Sequence, residues 1–131
     1  MRTPLALAAL LCAAASMVLA ADKTYPEISH DELVRAVAAR TATMLDANGT
    51  HSYKEGHIPG ALDFDAVKNR LASVLPADRS ALIVAYCADE NCPDYREAAE
   101  AAEALGYTNV KHYAPGILGW KDSGARVETA K

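Results

Sequence analysis

The chain has few of the residues on which several classes of protein depend. Its 131 residues include 3 Cys, 1 Trp and 1 Phe, and 13 Lys and Arg stand against 17 Asp and Glu, a formal net charge of −4. Proteins that bind nucleic acid need a basic surface, and those that hold single strands also need aromatic platforms. The composition therefore argues against a nucleic-acid partner. The length and a hydrophobic content of 51% fit one domain with one core.

Long apolar runs are absent except at the start of the chain. The run from Leu5 to Ala21 has no charged residue, follows Arg2 and ends in small residues. It is shorter than the roughly 20 residues that span a bilayer, and its end suits signal peptidase. We predict a signal peptide at 1–20 and a single periplasmic or secreted domain at 21–131, with no membrane contact after signal removal. The alternatives are an uncleaved membrane anchor and lipidation at Cys12, although the residue before that cysteine is bulky.

Export leaves only two cysteines, Cys87 and Cys92, because Cys12 is removed with the signal. Two thiols are too few for a disulfide framework. A structural zinc site would need two more ligands from four scattered histidines, and no CxxC or HxxxH spacing is present. We therefore expect neither a metal nor another cofactor.

Alternating helix and strand signals run along the remaining chain. They predict a helix at 30–37, a strand at 43–45, a polar segment to Gly60, extended structure at 61–64, a helix capped by Asp65 and stopped by Pro76, a strand at 81–86, a helix opened by Pro93 and ended by Gly106, a strand at 109–113 and a short helix at 117–120. The apolar run at 81–86 is typical of a strand buried on both faces. The order predicts an α/β domain with a mainly parallel sheet.

Cys87 follows the strongest strand signal directly, at the carboxyl end where parallel sheets bind ligands. Backbone N–H groups curled over a thiol before a helix N-terminus favour the thiolate and lower the cysteine pKa below its free value of about 8.5. Cys87 is therefore a predicted nucleophile, the alternative being a buried structural cysteine. The predicted substrate-binding loop consists of Ala88, Asp89, Glu90, Asn91 and Cys92.

Five segments between residues 28 and 124 resemble, in order, the rhodanese-like sulfurtransferases. They are Leu45-Asp46, YKEGHIPGA at 53–61, IVAYC at 83–87, the stretch 98–110 and PGILGW at 115–120. The resemblance implies a doubly wound sheet with helices on both faces and a catalytic cysteine, which carries over onto Cys87 alone. Such a thiolate takes sulfane sulfur from a small donor, holds it as a persulfide and passes it to a thiol or other nucleophilic acceptor.

The loop departs from the family pattern in its charge. Active members often carry Gly and a basic residue here, whereas this loop has Asp89 and Glu90, and Asn48 stands where many members have Arg. Carboxylates repel a dianion. We therefore expect polysulfide or an organic persulfide to be a better donor than thiosulfate.

Cys92 has two interpretations. As a resolving thiol it attacks the Cys87 persulfide, forms a disulfide and expels sulfide. As a structural residue it precedes the helix with its sulfur in the core. Two further functions stay open: a dithiol redox protein that uses the same pair, and a noncatalytic binding module.

Other conspicuous side chains are predicted to be structural. His57 is expected to fix its loop by hydrogen bonding, Asp46 to cap N–H groups after its strand, and Trp120 to fill space beneath the last helix. The tyrosines at 86, 95, 107 and 113 are expected in the core or at its rim.

Overall fold

The computed structural model describes residues 23–131, so the predicted signal peptide and Cys12 lie outside the described residues. The elements in this range are α1 His30–Ala39, β1 Ala42–Asp46, α2 Thr50–Glu55, β2 Leu62–Asp63, α3 Phe64–Val67, a 3-10 turn Lys68–Arg70, α4 Leu71–Val74, β3 Leu82–Tyr86, α5 Tyr95–Ala104, β4 Val110–His112 and α6 Gly116–Asp122. Among residues 23–131, no helix is long and apolar enough to cross a bilayer.

The strands form one parallel sheet in the order β2-β1-β3-β4. The central strands β1 and β3 pair along their whole length, with Asp46 beside Tyr86, whereas β2 adds only two residues at an edge. Parallel pairing brings the carboxyl ends of the strands to one edge, where the residues after β1 and β3 meet. The predicted α/β fold with a parallel sheet is confirmed.

Alternate residues of β3 face opposite helical layers, which explains its unbroken apolar run. Ile83 and Ala85 pack in a cluster with residues of α3, α4 and α5. Val84 and Tyr86 pack in a second cluster with residues of α1 and α6. All four side chains are fully buried. Helices thus cover both faces of the sheet, as the doubly wound expectation requires.

Local signals set the ends of the two longest helices. At α1 the Ser29 hydroxyl accepts the Glu32 N–H and the Glu32 carboxylate accepts the Ser29 N–H, both at 3.2 Å. This reciprocal cap satisfies two N–H groups that the helix leaves unpaired. Gly106 follows α5 with a φ of +95°, a conformation that glycine adopts at little cost, and so ends the helix as predicted. The start of α5 is Tyr95, two residues after the predicted Pro93.

Two parts of the chain differ from the prediction. The helix expected from Asp65 is divided into α3 and α4, and it starts at Phe64 because the Asp63 side chain accepts the Ala66 N–H. That cap also shortens the preceding strand. No helix is predicted where α2 forms; none of its residues is buried, so apolar periodicity carries no signal there.

Candidate active site

The structure places Cys87 immediately after β3, fully buried, and bonds its sulfur to that of the half-buried Cys92. The two Cα atoms are 6.2 Å apart, within the usual range for a disulfide. The loop between them curls through a turn in which the Cys92 N–H donates to the Asp89 carbonyl at 3.2 Å. The curl that the sequence requires for a bridge is therefore present.

The start of α6 holds the first residues of this loop. The N–H groups of Ile117 and Leu118 donate to the carbonyls of Cys87 and Ala88 at 2.9 and 3.0 Å. Gly116 makes the approach possible: its φ is +64°, and a Cβ there would lie 2.5 Å from the Ala88 carbonyl carbon and oxygen. Sequence reasoning assigned Gly116 only to a turn. The PGILGW motif at 115–120 was the sequence feature that could have indicated this close approach of Gly116 to the loop.

With its carbonyls turned towards α6, the loop leaves backbone donors unused. The N–H groups of Ala88, Asp89 and Glu90 have no acceptor within residues 23–131. The next N–H, of Asn91, donates to the Asp89 carboxylate at 2.9 Å. Successive free N–H groups in a turn form a concavity of positive potential that suits an anion.

A buried polar network joins the carboxyl ends of β1 and β3 beneath the loop. The Tyr86 hydroxyl donates to the Asp46 carboxylate at 2.7 Å and accepts the Ile58 N–H at 3.1 Å. The other Asp46 oxygen accepts the backbone and side-chain N–H groups of Asn48 at 2.8 and 2.9 Å, the predicted cap. Burial raises the pKa of Asp46, and the bonds from Asn48 and Tyr86 oppose that rise. Burial and the Asp46 charge together raise the pKa of Tyr86.

The surface beside the loop is acidic on two sides. One concavity, of about 350 Å³, contains the carboxylates of Asp89, Glu90 and Asp122 and the half-exposed Leu118. The other, of about 300 Å³, lies at the end of β1 and contains three further carboxylates, those of Asp65, Asp94 and Glu97.

Neither concavity has Lys or Arg among its described lining residues. Lys68 does not line the second concavity, but its Nζ lies 3.3 Å from Asp65 and 3.9 Å from Glu97. Asp122 was not among the residues predicted for the site, because only folding brings α6 beside the loop.

A family model described as a rhodanese-like domain matches residues 29–123. The chain belongs to the rhodanese-like domain family. The matched range agrees with the five motif segments of the sequence and contains the whole parallel sheet.

Known proteins related to this rhodanese-like domain differ in size. An HTH-type transcriptional regulator of Mycobacterium tuberculosis is 35% identical over 103 residues, which are 77% of this chain and 44% of that protein. The thiosulfate sulfurtransferase of Pseudomonas aeruginosa superposes with a TM-score of 0.62 at 24% identity, covering 82% of this chain and 21% of its own. The human single-domain sulfurtransferase has a TM-score of 0.60 at 23% identity, covering 74% and 96%. These structures share the fold, and the chain spans less than half of the curated relative.

The motif around His57 has a structural role. The His57 Nδ1 lies 2.7 Å from the Tyr53 carbonyl oxygen, and the two rings stack with centroids 3.7 Å apart. Its backbone pairs with Glu128 in both directions at 2.9 Å. His57 therefore ties its loop to α2 and to the C-terminal segment, as expected. Trp120 is buried and its Nε1 donates to the Arg126 carbonyl at 2.8 Å.

Proposed function

We propose that this domain is a sulfurtransferase that moves sulfane sulfur through a persulfide on Cys87. The position of Cys87 carries the proposal: it directly follows a central strand and precedes three consecutive N–H groups, at 88–90, that have no acceptor among residues 23–131. Those donors stabilise a thiolate, and they stabilise the persulfide anion that replaces it. The disulfide form has no thiol to react, so two equivalents of a small thiol must first reduce the bridge and leave as their own disulfide.

The transfer then takes two displacements. The Cys87 thiolate attacks the outer sulfur of a donor persulfide or polysulfide, and the remainder of the donor leaves as a thiolate or shorter polysulfide. An acceptor thiolate next attacks the terminal sulfur on Cys87, becomes a persulfide and regenerates the Cys87 thiolate. No net redox change accompanies either step.

Cys92 supplies a second exit from the intermediate. Its thiolate attacks the Cys87 sulfur that carries the extra sulfur atom; the Cys87–Cys92 disulfide forms and hydrosulfide leaves. The bonded pair and its Cα separation of 6.2 Å support this role, because the same bond is the product. The predicted signal peptide at 1–20 supports a function in the periplasm or outside the cell, where an oxidising environment lets the Cys87–Cys92 bridge form and persist.

Intact mass spectrometry tests the proposal. The reduced domain, treated briefly with polysulfide, is expected to gain the mass of one sulfur atom and to lose it to added thiol. The Cys87→Ser variant should gain none, whereas Cys92→Ser should gain it and hold it longer. A Cys87→Ser variant that loads like the wild type would overturn the assignment.

The disulfide also favours one second candidate, a dithiol redox protein that cycles the Cys87–Cys92 pair. Steady-state turnover with a sulfur donor and thiol acceptor distinguishes the two. It survives Cys92→Ser if Cys87 transfers sulfur, and it is lost in that variant if disulfide cycling is the reaction.

A further inference from the structure

A third concavity, of about 730 Å³, lies between α1, residues 59–60 and the C-terminal segment 125–128. We call it the α1 groove. Its lining includes Val34, Val37 and Ala38 of α1, Ala42 and Met44 of β1, and Trp120. No residue of the 87–92 loop lines it. Its volume falls in the range of about 300–1,000 Å³ of small-ligand pockets, and it is larger than either concavity beside Cys87.

The apolar wall of the groove is open to solvent at Val34. This side chain is 38% exposed, and among residues 23–131 only Leu118 is another large hydrophobic residue exposed to that degree. Val34 belongs to neither core cluster. Burying it and its neighbours against an apolar ligand removes water from that surface, which favours binding.

The charge of the groove has the opposite sign from that of the molecule. Arg40 and Arg126 line it with one carboxylate, Glu128, in a chain whose net charge is −4. Glu128 serves several partners at once: Arg126 at 3.5 Å, His57 at 3.9 Å and the Gly60 N–H at 3.4 Å. Within the described residues Arg40 has no carboxylate partner. The groove therefore offers an unpaired guanidinium beside apolar side chains.

We propose that the α1 groove binds a small amphipathic anion, a molecule with an apolar chain and one carboxylate head. The chain packs against the exposed or half-buried Val34, Val37 and Ala38 of α1, and the head binds Arg40. The side-chain charges of the two sites differ, because three carboxylates line the concavity beside Cys87 whereas Arg40 and Arg126 line the α1 groove. This binding does not depend on sulfur transfer, so either proposal can fail alone.

Trp120 is the only tryptophan of the chain, so its emission reports on the groove. The experiment titrates the full chain with decanoate and, separately, with 1-decanol, which has the same chain and no charge. A saturable change at one site is expected, with decanoate bound roughly tenfold more tightly than the alcohol because of the charge-assisted bond. Arg40→Asn should abolish that difference; asparagine suits this position, whose φ is +56°.

Two further variants keep the test decisive. Arg35→Gln removes an exposed cation of α1 that does not line the groove, and it should leave both affinities unchanged. Val34→Gln should weaken both ligands. Absence of saturation, equal affinity for the two ligands, or binding that survives both Arg40→Asn and Val34→Gln would overturn the proposal. So would a concentration-dependent dimer that decanoate does not dissociate, which would assign the groove to a second copy of the chain.

Discussion

Replacing Gly116 with alanine is the most direct test of how the fold positions Cys87. The added Cβ would lie 2.5 Å from the carbonyl carbon and oxygen of Ala88 and 2.6 Å from the Cys87 oxygen. These are backbone atoms, so no side chain can turn aside. Since ordinary contact begins near 3.4 Å, α6 and the loop must separate by about 0.9 Å. That separation stretches the bonds that Ile117 and Leu118 donate to the loop, which are 2.9 and 3.0 Å long.

The cost has two parts. Holding an alanine at the φ of +64° costs about 1–2 kcal/mol. Two weakened backbone hydrogen bonds cost about 1 kcal/mol each. We expect the free energy of unfolding to fall by about 3–4 kcal/mol, and sulfur loading of Cys87 to slow in whatever protein remains folded, because the N–H groups at 88–90 lose their arrangement.

Gly124 provides a matched control, because its φ is +81° and a Cβ there would meet nothing within 4 Å. Gly124→Ala therefore measures the backbone cost alone, about 1–2 kcal/mol. Urea unfolding of both variants gives the difference, and mass spectrometry gives the loading rates. If Gly116→Ala costs no more than Gly124→Ala and loads at the wild-type rate, the contact between α6 and the loop does not position Cys87.

Three other outcomes are expected. Glu90→Lys with Asp122→Lys, which spares the turn at residue 89, should raise thiosulfate loading roughly tenfold over loading from a singly charged organic persulfide, and salt should reduce the gain. Tyr86→Phe leaves an Asp46 oxygen and a backbone N–H unpaired, so urea unfolding should show a loss of about 2–3 kcal/mol. Burial lowers the pKa of His112, so below about pH 6.5 the unfolded state binds a proton that the folded state does not. The free energy of unfolding should therefore decrease as the pH drops below about 6.5, and His112→Phe should remove that dependence. The first prediction fails if the lysine double variant loads thiosulfate at the wild-type rate. The second fails if the urea midpoint of Tyr86→Phe is unchanged, and the third if His112→Phe keeps the wild-type pH slope.

The central strand and the helix after Cys87 could be predicted because their signals are local. The run at 82–86 is apolar at every residue since both faces of β3 are covered, and Tyr95, Ala98, Ala99 and Ala102 form one buried stripe of α5. Cys87 lies between these two elements. Its place at the carboxyl end of the central strand β3 therefore follows from the order of the residues alone.

Other features depend on contacts between distant segments, and the sequence carried little sign of them. α2 buries none of its side chains, and its Tyr53 is held instead by the hydroxyl's bond to the Ala61 carbonyl. Gly116 is required by the approach of α6 to the Cys87 loop, and Asp122 reaches that loop from the same helix. A turn signal at 115–116 predicts a bend; it does not say which backbone lies against it.

The same geometry links the disulfide to the chemistry proposed for Cys87. α6 takes the loop's first two carbonyls as acceptors, so the N–H groups that follow are left for an anion. When the bridge forms, no anion is present on Cys87 and those donors lose the charge that would stabilise them. On the proposed function, reduction restores the thiolate that these donors are proposed to stabilise. We therefore expect the loop to favour the reduced anionic form, and the half-buried Cys92 to be the group through which an incoming thiol opens the bridge.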